Sequence, residues 1–228
     1  MSRSLYDLTA ADGTRFSPYC WRVKLALAHK NLDYETIPWH FTEKEALAAS
    51  GQGKVPVLLD GANIVSDSQI IADYLERTYP NEASLFGEPP ARALSMFVKQ
   101  WAETSLHPAL AQLLVADIHR RLHPKDQEYF RLTREAMLGR RLEEFDATRH
   151  LALERLDLVL RPLRKLLTDQ PFLAGEAPNW ADHIVFGALQ WGRLMSSTPL
   201  FQPSDALLGW MQRVPVSYTH LTLPTKRI

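Results

Sequence analysis

One cysteine, Cys20, stands in 228 residues. A single thiol closes no intrachain disulfide, so a disulfide-stapled secreted fold is excluded. An excess of either charge is also missing, since Lys+Arg and Asp+Glu both total 26 and the formal net charge is zero. Polyanion binders carry a basic excess or stripe, so no nucleic acid is expected as a partner, although a small acidic molecule can still meet a local cluster of donors. No stretch approaches the ~18 apolar residues of a membrane span. The opening Met1-Ser-Arg-Ser-Leu-Tyr-Asp7 also lacks the apolar run of a secretory signal. No membrane partner is expected, and the expected location is the cytoplasm.

What is present is an ordinary globular mixture, 46% hydrophobic and 23% charged, enough for one large domain or two small ones. The stretch Val216-Ser-Tyr-Thr-His-Leu-Thr-Leu-Pro-Thr225 stands apart. It resembles the translation of a transposase sequencing adapter read through at the end of a DNA fragment. Residues 216–228 are therefore set aside as a non-native tail, with the native sequence expected to diverge near Pro215.

Residues 1–80 alternate short strand-like and helix-like pieces. Ser4-Leu-Tyr-Asp-Leu8 alternates apolar and polar in the β manner. Pro18 suits the first turn of a helix reaching about Lys30, and Tyr34-Glu-Thr-Ile37 reads as a second strand. Thr42-Glu-Lys-Glu45 is a capping-box pattern for a short helix that Gly51 and Gly53 break. Val55-Pro-Val-Leu-Leu59, a turn at Asp60-Gly61 and Asn63-Ile-Val65 give a hairpin. A helix follows from Ser68 to about Tyr79, with Ile70, Ile71, Tyr74 and Leu75 on one face. Residues 81–90 read as a linker.

From residue 91 to 215 only helical periodicity survives. Met96, Phe97, Trp101, Leu106, Leu110, Leu113 and Leu114 form one series, and Leu153, Leu156, Leu160, Leu163 and Leu167 another. Asn179-Trp-Ala-Asp182 is a second cap signal, with Asp182 reaching back to the N–H of Asn179. The expected fold class is an α/β domain followed by an all-α domain.

Three features of the first domain point to chemistry. Ser17-Pro-Tyr-Cys20 sits at a loop-to-helix junction, where unpaired N–H groups and a partial positive charge favour a thiolate and a hydroxyl can donate to it. By itself a serine there is more often a simple N-cap. Val55-Pro56 at the corner before a strand is a candidate cis bond that turns the Val55 backbone outward, free to pair with an extended peptide. Asp67-Ser68 opens the next helix; it is ordinary capping chemistry, yet the same groups can hold both ends of a γ-glutamyl moiety.

In that order and spacing, Ser17-Pro-Tyr-Cys20, Gln52-Gly-Lys-Val-Pro-Val57 and Ser66-Asp-Ser68 resemble the thioredoxin-fold domain of glutathione transferases. The all-helical second half with its Asn179-Trp-Ala-Asp182 cap is similar to that family's second domain, so the resemblance runs from residue 4 to about 213. Ser17-Pro-Tyr-Cys-Trp-Arg-Val-Lys24, Pro124-Lys-Asp-Gln-Glu-Tyr129, Arg141-Leu-Glu-Glu144 and Pro178-Asn-Trp-Ala-Asp182 look most like the bacterial glutathione-dependent β-etherases and their fungal relatives.

The resemblance implies a thioredoxin-like N-terminal domain, an all-helical C-terminal domain, glutathione as co-substrate, a small aromatic electrophile and a homodimer. It implies further that Ser17 stabilises the glutathione thiolate, Val55 pairs with the cysteinyl backbone ahead of a cis Pro56, and Asp67 with Ser68 hold the γ-glutamyl end. Gln52 and Lys54, with His40 or Lys44, fall to the glycyl carboxylate. The chemistry implied is thiolate attack with loss of a leaving group, whether β-aryl ether cleavage or general conjugation of xenobiotics as in detoxification. A non-catalytic binding protein on the same fold is the alternative from another class.

Remaining candidates weigh less. Cys20 falls nearly a turn inside the helix, where inert packing is the expected role. Trp101, Ser105 and Leu106 either face the electrophile or merely pack an amphipathic helix. No metal is expected: His119 and His123 are four apart, but no carboxylate base lies between them. Arg140, Arg141, Arg149 and Arg155 read as a solvated helix face.

Overall fold

The computed structural model describes residues 2–218. Four strands, β1 (Arg3–Leu8), β2 (Glu35–Trp39), β3 (Val57–Asp60) and β4 (Asn63–Ser66), form one mixed sheet in the order β2-β1-β3-β4. β1 runs parallel to β2, with Leu8 opposite Trp39, and antiparallel to β3, with Tyr6 opposite Val57. β3 is antiparallel to β4, with Val57 opposite Ser66. The second strand reaches two residues beyond Ile37, through Pro38. A proline survives there because β2 is an edge strand.

Helix α1 (Pro18–His29) provides the crossover between β1 and β2, and α2 (Ser68–Thr78) follows β4. A buried ion pair, Lys24 Nζ to Asp7 Oδ2 at 2.8 Å, ties α1 to β1. The capping box expected at Thr42 does not form. Lys44–Ser50 is a 3-10 segment whose N-terminal neighbour makes no side-chain cap. The Thr42 N–H and hydroxyl both donate instead to Asp126 Oδ1, at 3.0 and 2.8 Å, so a partner 84 residues away displaces the local cap.

The rest of the described chain is helical: α3 (Pro89–Trp101), α4 (His107–Arg121), α5 (Pro124–Leu138), α6 (Leu142–Ala147), α7 (Arg149–Asp169), α8 (Trp180–Met195) and α9 (Ala206–Val216). A π-helical turn, Ala102–Leu106, joins α3 to α4 without a break. Pro108 supplies its cause. It has no N–H for the Thr104 carbonyl, and its ring crowds that group, so the turn widens.

The leucines of α4 and α7 that the spacing predicts are buried, Leu153 only partly, but two residues face outward: Ile70 is 56% and Phe97 69% exposed. Arg149 also departs from the expected solvated face, since its side chain is 16% exposed and bonds Asp117 and Asp146 at 2.9 and 3.0 Å. The Asn179 cap forms as expected, Asn179 accepting from the Ala181 N–H and Asp182 from the Asn179 N–H.

Helix α8 packs on α1 through Gly187. A Cβ at that position would fall within contact distance of the Pro18 carbonyl oxygen, so only glycine admits so close an approach. This contact fixes the start of α1 against the helical half. Of the tail set aside on sequence grounds, Val216 ends α9 and the Tyr218 hydroxyl meets His29 and His183; residues 219–228 lie outside the described residues.

Candidate functional site

Strand directions bring the sequence candidates together. The β1 C-terminus, the β2 C-terminus, the start of β3 and the β4 C-terminus all lie at one end of the sheet. That end therefore carries the Ser17 junction, His40, Val55-Pro56 and Asp67-Ser68. Both α1 and α2 also present their N-termini there, and two partial positive charges favour an anion.

Ser17 is the N-cap of α1 and nearly enclosed. Its Oγ accepts the Cys20 N–H at 3.2 Å. The capping reading is thus correct, and the hydroxyl also lies within hydrogen-bond reach of the Cys20 thiol. Capping orients the oxygen, and a hydroxyl so placed can donate to a sulfur anion, a stronger acceptor than the neutral Cys20 thiol. Cys20 is fully buried with its Sγ against the Tyr6 carbonyl at 3.6 Å. Burial, with Asp7 nearby, holds its pKa well above the usual thiol value, so it stays a protonated packing group.

The Val55-Pro56 bond is cis. Among the described residues neither the N–H nor the C=O of Val55 has a partner, so an edge is free for an extended peptide. Asp67 has φ 73° and ψ 133°, a backbone conformation that costs a non-glycine residue on the order of 1–3 kcal/mol. Its Oδ1 accepts the N–H groups of Gln69 and Ile70 at 2.8 and 3.2 Å. Ser68 is buried beside it.

Toward the outer edge the candidates divide. Gln52 is half-buried and Lys54 exposed. Lys44 Nζ is committed to the Gly53 carbonyl at 2.7 Å, and His40 Nδ1 meets Asp126 Oδ2 at 3.1 Å. His40 thus joins the sheet to α5, across the same buried carboxylate that holds Thr42. His123 caps α5 through the Lys125 N–H and packs on the His40 ring at 5.3 Å. Among the described residues no three His, Cys, Asp or Glu side chains group as a metal site.

The helical wall holds the residues that the sequence pattern did not reveal. Trp101 and Ser105 are half-buried, whereas Leu106 is fully enclosed and packs in the core. Arg22, entirely buried, donates from NH1 to Glu103 Oε1 at 3.0 Å and from NH2 to His107 Nε2 at 3.2 Å. Its guanidinium lies over the Tyr19 ring at 4.6 Å. Burial draws the Arg22 pKa down, while Glu103, Tyr19 and Asp67 oppose. Burial also opposes ionisation of Glu103, but its bonds to Lys99 and Arg22 outweigh that and hold its pKa below the usual carboxylate value. Burial and then Arg22 push His107 down to about 3, so its imidazole is neutral. The one sequence signal for this wall was Pro108, which marks the irregular turn that presents Glu103 and His107 together.

Residues 13–83 match the family model for the N-terminal domain of glutathione S-transferases, and residues 93–200 match the one for their C-terminal domain. The chain belongs to the glutathione transferase family. Glutathione is that family's co-substrate. A glutathione transferase of Phanerochaete chrysosporium superposes with a TM-score of 0.84 at 26% identity, over 98% of this chain and 99% of that one. A glutathione S-transferase of Ceriporiopsis subvermispora, solved in complex with glutathione, gives 0.82 at 22%, again over 98% and 99%.

The maleylacetoacetate isomerase of Pseudomonas aeruginosa is 34% identical over 96 residues, 39% of this chain and 45% of that protein. The chain thus spans less than half the length of that relative. A "probable glutathione S-transferase" of Oryza sativa subsp. japonica is 26% identical over 214 residues, 88% of this chain and 81% of that protein.

Proposed function

We propose that the protein holds the thiolate of bound glutathione at Ser17 and directs it at a small aromatic electrophile, with a β-aryl ether ketone as the substrate class. The observation that carries this reading is the Ser17 hydroxyl, which caps α1 at the end of the sheet and has only the neutral Cys20 thiol as a competing acceptor. An ordinary thiol with pKa near ~8.5 needs a shift of about one to two units to be largely ionised at neutral pH. A hydroxyl donor and two helix N-termini are of that size. The free backbone of Val55 takes the cysteinyl backbone, Asp67 and Ser68 take the γ-glutamyl end, and Gln52 and Lys54 take the glycyl carboxylate.

In the step itself a carbon–sulfur bond forms at the carbon beside the ketone. The carbon–oxygen bond breaks, and the phenolate leaves with the bonding pair and takes a proton from water. The protein supplies position and an ionised nucleophile, with no covalent protein intermediate. General conjugation of electrophiles uses the same site. A purely structural protein has no need of a serine hydroxyl at a helix start, an unpaired Val55 backbone and a conformationally costly Asp67 gathered at one end of one sheet.

The molecule works in the cytoplasm as a homodimer, with residues 1–80 of one protomer against residues 91–215 of the other. The exposed Ile64 and Ile70 on the first and Leu94 and Phe97 on the second support that pairing.

The test is glutathione-dependent phenol release from a β-aryl ether ketone carrying a fluorescent phenol, run beside Ser17→Ala. Release that collapses in the variant supports the reading. No release with glutathione bound refutes the ether substrate and leaves conjugation. No glutathione binding refutes the transferase reading.

A further inference from the structure

Arg22 can only donate hydrogen bonds, so the His107 Nε2 that meets its NH2 must accept. In a neutral imidazole the proton then sits on Nδ1. Nδ1 has no partner among the described residues, yet it is absent from the polar atoms that are both sealed and unbonded, which include the Nε of Arg22. It therefore keeps contact with solvent. The ring stands between Tyr19 and Trp191, at 5.2 and 6.0 Å between centroids, and Tyr19 is two residues from Ser17. A polar N–H flanked by two aromatic side chains, one of them two residues along the chain from Ser17, is a recognition group for an aromatic ligand that carries an oxygen.

We propose that His107 is a specificity-determining residue: Arg22 locks it as the Nδ1–H tautomer, and that N–H donates to a carbonyl oxygen on the electrophile. The proposal rests on the transferase reading and adds to it the class of substrate preferred, an aryl ketone over an aryl compound without an oxygen acceptor. A hydrogen bond to the carbonyl draws electron density from the adjacent carbon, and it is lost when the substrate has no such oxygen.

Two halides that alkylate glutathione at a CH2Cl carbon separate the cases. Phenacyl chloride has the carbonyl and benzyl chloride does not. In both a carbon–sulfur bond forms and chloride leaves with the bonding pair. Two substitutions divide the two nitrogens of His107. His107→Asn places an amide N–H near the Nδ1 position and removes the acceptor for Arg22. His107→Gln places an amide oxygen near Nε2 for Arg22 and removes the Nδ1 donor.

The expected result is a ratio of kcat/KM for phenacyl over benzyl chloride that falls about tenfold in His107→Gln, the size of one neutral hydrogen bond. It stays within about twofold of wild type in His107→Asn, even where that variant is less stable. A purely structural role predicts the reverse, because Asn abandons Arg22. Equal ratios in all three proteins, or loss only in Asn, would overturn the proposal while leaving the transferase reading intact. A wild type inactive toward both halides and unable to bind glutathione would remove the transferase reading and His107 with it. Nitrogen-15 spectra of the histidine rings give an independent check: His107 should be neutral with the proton on Nδ1 at pH 6, and a proton on Nε2 at that pH overturns the proposal.

Discussion

The sheet side and the helical side of the site are built by different means. On the sheet side, backbone groups and helix ends do the work: the Ser17 cap, the open backbone of Val55 and the Asp67 turn each hold their shape within a few residues. On the helical side the groups come from far apart in the chain. Arg22 reaches Glu103 and His107 across 81 and 85 residues. The first side is therefore robust to distant substitutions and sensitive at single atoms, while the second depends on how tightly the helices pack.

That contrast can be broken at several points. Ser17→Ala should lower kcat/KM by on the order of a hundredfold or more, the scale of removing one donor aimed at a reacting anion. Unfolding by urea should show the fold intact apart from the loss of one cap, about 1 kcal/mol. Gly187→Ala should do the opposite. The new methyl meets the rigid backbone of Pro18 rather than a movable side chain, so a stability loss of about 1–3 kcal/mol is expected. Activity should then fall through displacement of α1, measurable as a raised KM for glutathione.

Acid should loosen the fold through its buried histidines, His29, His183 and His107, whose pKa values burial lowers. Burial holds the folded pKa of His107 at about 3, below the usual imidazole value of about 6.5. A histidine kept neutral in the fold contributes stability above its unfolded pKa, and that contribution is lost as pH falls from 6.5 toward 3. Between pH 6.5 and 5 the loss is about 2 kcal/mol, at 1.36 kcal/mol per unit. His107→Gln should flatten urea midpoints over that interval relative to wild type. The smallest effect belongs to the exposed pair Lys165–Asp169, 3.9 Å apart. Lys165→Ala should change stability by less than about 0.5 kcal/mol, because water and salt screen such pairs.

Legibility follows the same division. Ser17, Val55-Pro56 and Asp67-Ser68 could be read in sequence because each is a local conformation with its own residue signature, and the strand order then brings them to one end. Arg22, Glu103 and His107 were not legible, because nothing local pairs an arginine in α1 with a residue of a distant π turn and the first residue of the helix after it. Thr42 shows the cost of purely local reading: its capping box is sound in isolation and loses to Asp126. Ile70 and Phe97 show it again. Helical spacing identifies apolar residues without saying whether a given face meets the core or solvent, and both point outward.

The central claim is that Ser17 stabilises a thiolate. Its most direct test is ultraviolet thiolate absorbance of bound glutathione titrated against pH, in wild type and Ser17→Ala. The account expects a wild-type midpoint about one to two units below the free-thiol value of ~8.5, returning toward that value in the variant. A wild-type midpoint at the free-thiol value, or one that Ser17→Ala leaves unchanged, would contradict it.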